Sequence, residues 1–147
     1  MIQMLAKKML DNNIKPELEA FDVGMINYAK YLNKKRLITP PFYFNLILGN
    51  IACAQANILN LGLMVNELPD DSIWSVGGIG DAQLPMNVHG MTSGGGVRIG
   101  IEDNIWFTPK REKLATNYDL LGRIKKIADA LDLEPATPQE VRNVLRL

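Results

Sequence analysis

The sequence predicts an α/β fold of parallel strands and, within that class, one half of a (β/α)8 barrel. Three observations lead there. Strand and helix periodicities alternate along the 147 residues, and strict alternation calls for parallel strands joined by helical crossovers. Only four strand segments are legible, whereas a closed barrel needs eight and about 250 residues. Two of the four carry charge on one face: Glu17 and Glu19 in one, Arg98 and Glu102 in the other. An open doubly wound sheet is covered by helices on both faces and rarely tolerates such residues, but the mouth of a barrel does. The chain also opens on a helix, as though the strand before it belonged elsewhere.

Each element has its own signal. "IQMLAKKMLDNN" places Ile2, Leu5, Met9 and Leu10 at helical spacing, and Asn12 and Asn13 suit its end. "KPELEAFD" reads as a strand after Pro16, with Glu17, Glu19 and Phe21 on one side. "VGMINYAKYLNKKRL" reads as a helix with Met25, Tyr28, Ala29 and Leu32 inward and a basic end that suits the helix dipole. The near-continuous apolar run in "PPFYFNLILGN" predicts a strand buried on both faces.

A helix is expected from Ala54 to Glu67, a turn at "PDD", and a strand over "SIWSVGGIG". "DAQLPMNVHGMTS" is helical, with Pro85 near its start. After "GGG" comes a fourth strand, "VRIGIED", Val97 to Asp103. "TNYDLLGRIKKIADALD" is an amphipathic helix capped by Thr116 or Asn117. "TPQEVRNVL" is a last helix with Thr137 as N-cap and Pro138 at its first position. Residues 1–147 read as one partial domain.

Composition narrows the function. The chain is 47% hydrophobic, enough for a packed core, and its 16 basic and 16 acidic residues cancel. No charge excess points to nucleic acid or to a membrane surface. No apolar run reaches the ~18–20 residues of a membrane span. One cysteine, Cys53, excludes an internal disulfide and reads as a small core residue. A cytoplasmic protein is expected. One cysteine and one histidine, His89, cannot build a zinc site of the usual types.

The chemistry gathers in the strands. Alternation in "VRIGIEDN" turns Val97, Ile99 and Ile101 toward the helices, and Arg98, Gly100 and Glu102 the other way. Along an extended strand Arg98 and Glu102 stand about 13 Å apart, with Gly100 leaving room between them. Asp103 sits at the C-terminal edge, where the sites of such sheets lie. A structural ion pair is the alternative reading of Arg98 and Glu102. Two inward glutamates in "PELE" are costly unless a cation, a metal or a substrate pairs with them, although an edge strand would simply leave them solvated. "SVGGIGDAQ" could hold an anion on its amides or be a tight turn.

Over nearly the whole length, "KPELEAFDVG", "PPFYFNLILG", "SIWSVGGIGDAQLPM", "GGGVRIGIEDN" and "LATNYDLLGRIKKIADALDLEPATPQEV" resemble the β-keto acid cleavage enzymes. The resemblance is to the C-terminal half of that family, and it implies strands 5 to 8 of a zinc-dependent barrel. It implies Glu102 as a zinc ligand, and Arg98 and Asp103 as the polar pair for substrate binding and proton transfer. It also implies a glutamate of the "PELE" strand, Glu17 or Glu19, with Glu17 preferred.

The implied reaction joins a β-keto acid, such as the 3-keto-5-aminohexanoate of lysine fermentation, with acetyl-CoA. The products are acetoacetate and an acyl-CoA. The family's two remaining zinc ligands are histidines of an HxH that this chain lacks. Inactivity alone is therefore expected, with the site completed by an N-terminal half-barrel chain. The alternative is a non-catalytic half-barrel that self-associates as a homo-oligomer through its open edges.

Overall fold

The longest apolar run becomes the centre of the sheet. In the computed structural model, which describes residues 1–147, Phe42–Leu48 forms β2, buried at six of its seven positions. On one side it pairs with β1, Glu17–Ala20, and on the other with β3, Ser72–Gly78. β4, Gly96–Val97, pairs with β3. All pairings are parallel and the order is β1-β2-β3-β4.

Helices alternate with the strands as expected. They are α1 (Ile2–Asp11), α2 (Val23–Lys34), α3 (Ile58–Asn66), α4 (Gln83–Thr92), α5 (Asn117–Ala130) and α6 (Pro138–Leu145). A 3-10 turn at Gly80–Ala82 leads into α4. None of the helices is long and apolar enough to cross a membrane.

The two faces of the sheet differ. Ala20, Phe44, Leu46, Leu48 and Val76 join Ile26, Ala29, Leu32, Leu61, Met64 and Met86 in one hydrophobic cluster. These strand residues share a face, because side chains alternate. The opposite face carries Glu17 and Glu19, Tyr43 and Asn45, then Ser75 and Gly77, in register across β1, β2 and β3. Ile47 and Ile73 share that face, and its polar side chains bond one another. Tyr43 Oη and Ser75 Oγ lie 3.0 Å apart, and Asn45 Nδ2 donates to Glu17. The expectation that β2 is buried on both faces holds, with a polar layer on one of them.

Four local expectations need correction. α3 begins at Ile58, not Ala54, because residues 49–57 are held in a loop by the neighbouring chain: Ala54 N–H donates to Phe21 O at 3.0 Å, and Gly49 N–H to Ala54 O at 2.9 Å. Asn57 then caps the helix by accepting from Asn60 N–H. Cys53 lies in that loop, half-buried, outside the core. In α2 the buried residues are Ile26, Ala29 and Leu32. Met25 and Tyr28 line instead an apolar groove of about 480 Å3 between α1, α2 and the outer edge of β1. The fourth correction, to the fourth strand, belongs to the site.

α5 and α6 both start on a capping box, Thr116 with Asp119 and Thr137 with Glu140. Bonds from Lys113 and then from Thr116 hold the Asp119 carboxyl below its ordinary range. The backbone and side chain of Thr137 do the same for Glu140. A depressed folded-state value stabilises above the unfolded value, about 3.9 for Asp and 4.3 for Glu, and the effect fades as pH falls through the lower folded value. The first turns of α5 and α6 are therefore expected to fray on acidification below about pH 4. Asp119→Asn and Glu140→Gln should weaken these turns at neutral pH and abolish the acid dependence, as read by amide hydrogen exchange.

Candidate active site

The chain beyond β4 makes the site. Arg98 extends the β3–β4 ladder by one bond, its N–H donating to Val76 O at 2.9 Å. The backbone then turns. The N–H groups of Asp103 and Asn104 donate back to Gly100 O at 3.3 and 3.4 Å. Oδ1 of Asn117, at the start of α5, accepts from Ile101 N–H at 2.9 Å. Gly80 N–H donates to Asp103 O at 2.8 Å. The fourth strand is thus Gly96–Val97, not Val97 to Asp103. Alternation stops early because β4 has a partner on one side only, and that ladder ends at Arg98. Ile101 is accordingly 43% exposed rather than packed on the helices.

The turn brings Glu102 and Asp103 back onto Arg98. Nε of Arg98 donates to Asp103 Oδ2 at 3.1 Å, and Nη1 donates to Glu19 Oε1 at 2.8 Å. Nη2 stands 3.4 Å from Glu102 Oε2. One guanidinium therefore gathers three carboxylates from opposite edges of the sheet. Their exposures differ: the side chain of Asp103 is 8% exposed, that of Glu19 46% and that of Glu102 82%. Burial alone would lower the Arg98 pKa. The hydrogen bond and charge of Asp103, with the charges of Glu19 and Glu102, outweigh it and hold the value above the ordinary one, so the cation is permanent.

Gly77 makes room for this arginine. A Cβ there would lie 3.3 Å from both Cβ and Cδ of Arg98. Gly78 lets the end of β3 meet the following turn, since a Cβ would fall 2.4 Å from Ala82 O. The amides that "GGIG" could offer to an anion are partly spent within the protein: Ile79 N–H bonds Leu48 O at 2.9 Å, and Gly80 N–H bonds Asp103 O. The turn braces Asp103.

The structure brings Arg98, Glu102 and Asp103 together and adds Glu19 to them. Glu17 lies on the same face, two positions earlier in β1, against Asn45. His89 sits in the last turn of α4, and Trp74 on the helix side of β3 packs against the core. Three amides escaped the sequence reading. Asn117 holds the turn, and the buried Gln83 and Asn87 of α4 bond the backbone of the same stretch. Their trace was there, as two amides four apart within an otherwise apolar helix face.

Residues 1–147, the whole chain, match the family model described as beta-keto acid cleavage enzyme. The chain belongs to the beta-keto acid cleavage enzyme family. Over 146 residues it is 36% identical to the 3-keto-5-aminohexanoate cleavage enzyme of Fusobacterium nucleatum, an alignment covering 99% of this chain and 53% of that one. The 3-keto-5-aminohexanoate cleavage enzyme of Acetoanaerobium sticklandii is 34% identical, at 99% and 53% coverage. The 3-dehydrocarnitine:acetyl-CoA trimethylamine transferase of Rhizobium meliloti is 31% identical, at 100% and 48% coverage. The chain spans about half the length of these curated relatives.

The donor set bears on the zinc ion that the resemblance to beta-keto acid cleavage enzymes implies. Nowhere in the chain do three His, Cys, Asp or Glu side chains converge as a metal site. A catalytic zinc takes three protein ligands, so the residues of this chain do not make such a site by themselves. Glu102 fits as one donor: it is largely exposed, and its one ionic partner is Arg98.

Proposed function

We propose that the four strands are strands 5 to 8 of a (β/α)8 barrel, and that a further polypeptide segment completes the barrel and its β-keto acid cleavage site. The observation that carries this reading is the Arg98 cluster. One guanidinium ties together carboxylates from β1 and from the turn after β4, at the C-terminal ends of the strands, on the sheet face opposite the hydrophobic cluster. Active sites of such barrels lie at that end.

The reaction joins a β-keto acid, with 3-keto-5-aminohexanoate as the first to test, and acetyl-CoA. It yields acetoacetate and the CoA ester of the remaining fragment. Asp103 removes a proton from the carbon between the two carbonyl groups of the β-keto acid. Arg98 has five N–H donors and spends two hydrogen bonds on Asp103 and Glu19. Nη2 also faces Glu102 Oε2 at 3.4 Å, and the N–H groups left over hold the substrate carboxylate. Glu19, which touches Arg98, fixes the guanidinium, and Glu17 supports the layer below through Asn45. Glu102 ligates zinc together with two histidines of the completing segment. Zinc bound there supplies Lewis-acid polarisation of the keto oxygens.

Closure by a second copy of this chain is the weaker reading. Each copy would bring Glu17, Glu19, Glu102 and Asp103 inward against one arginine, and a second copy repeats that excess. A segment bearing a cation meets it.

Metal uptake tests the completed site. The chain is to be mixed with the part of the Fusobacterium nucleatum relative that it does not match, and zinc counted after gel filtration. The expected result is one zinc per pair, none on this chain alone, and loss of the zinc with Glu102→Gln. Zinc retention unchanged by Glu102→Gln would contradict the assignment.

A further inference from the structure

The backbone that carries Arg98 is held by side chains where the strand ladder should be. After Arg98 N–H bonds Val76 O, β3 and β4 share no further pair. Two amides of α4 take over. Asn87 Nδ2 donates to Val76 O at 2.9 Å and to Arg98 O at 2.8 Å, bridging the two strands. Gln83 Nε2 donates to Gly100 O at 2.8 Å. Asn87 and Gln83 are both buried, at 0% and 1% exposure. All three partners are carbonyls, so the NH2 group of each amide must point at the strand.

The spacing explains why two amides suffice. Four residues of helix advance about 6 Å and two residues of strand about 6.6 Å. Gln83 and Asn87, four apart, therefore match Gly100 and Arg98, two apart and in reverse order. Gly100 O is also the acceptor for Asp103 N–H. The pair thus fixes both ends of the stretch that sets Arg98 against Asp103.

We propose that Gln83 and Asn87 are positioning residues for the Arg98–Asp103 pair, acting through the backbone of residues 98–100. The idea rests on the proposed keto-acid chemistry of that pair, but its test does not need turnover. In the full chain, exchange of the Arg98 Nε–H with solvent reports the bond to Asp103 Oδ2 by 15N NMR. Amides of β2 report the core.

Gln83→Met and Asn87→Leu keep the shape and remove the donors. Gln83→Met should speed Arg98 Nε–H exchange about tenfold, the scale of one lost hydrogen bond, and Asn87→Leu, which removes two, by at least as much, while β2 amides keep their protection. Unchanged Nε–H exchange overturns the proposal. So does a rise that merely parallels the β2 amides, since that is general loosening. If Asn87→Leu does not fold, Gln83→Met, which removes one bond, decides alone. Failure of the keto-acid reading would show in the reconstituted site and leave this measurement intact.

Discussion

Replacing Arg98 with methionine is expected to destabilise the chain by about 2–3 kcal/mol, somewhat under the cost of breaking a fully buried ion pair, and to abolish activity in the completed enzyme. The stability loss lies mostly with Asp103. Its carboxylate is 8% exposed and loses its cation. Glu19 and Glu102 are far more exposed and add little, because solvent screens them. Arg98→Lys should recover only a fraction, since an ammonium cannot fork among three carboxylates. A double-mutant cycle with Asp103→Asn isolates the pair. Urea unfolding should give a coupling of about 1–2 kcal/mol, whereas additivity would mean that the two groups do not interact in solution.

One methyl group placed on α4 should be nearly as damaging as the loss of that charge. A Cβ at Gly90 would meet Val76 Cγ1 at 2.6 Å and Gly96 O at 2.7 Å. Val76 can turn, but the Gly96 carbonyl is strand backbone. Gly90→Ala must therefore lift α4 from β3 and β4, and with it Gln83 and Asn87. A net loss of about 2–3 kcal/mol is expected, overpacking outweighing the gain in helix propensity. Gly122→Ala is the control. It sits in α5 with nothing within 4 Å of the added Cβ, so the same substitution should stabilise by about 0.5–1 kcal/mol. Thermal unfolding of the two variants reads both signs; a stable Gly90→Ala would mean that the helix sits looser than its contacts require.

The sequence reveals elements where the driving force is local. Apolar alternation marks β1 and β3, the continuous run marks β2, and the Thr116 and Thr137 caps mark α5 and α6. It misleads where tertiary bonds decide. Residues 54–57 have a helix-like pattern but lie in a loop, tied down where Ala54 bonds Phe21 and Gly49. "VRIGIED" alternates like a strand, yet its pairing stops at Arg98, and Asn117 and Gly80 fold the rest into a turn.

The site was legible as a set of residue types and less so as a geometry. Arg98, Glu102 and Asp103 stand out because charge within a strand-like apolar alternation is expensive. The choice between Glu17 and Glu19 depends on register across two intervening strands, which one chain segment cannot show. Gln83 and Asn87 were hidden because their function depends on which strand α4 packs against.

Turnover in a reconstituted pair tests the central claim most directly. This chain, mixed with the unmatched part of the Fusobacterium nucleatum relative, is to be given 3-keto-5-aminohexanoate and acetyl-CoA, and acetoacetate measured. The expected result is product from the mixture, none from either part alone, and none with Arg98→Met or Asp103→Asn. A mixture that assembles and retains zinc yet forms no acetoacetate, or one whose output is indifferent to Arg98 and Asp103, would contradict the account.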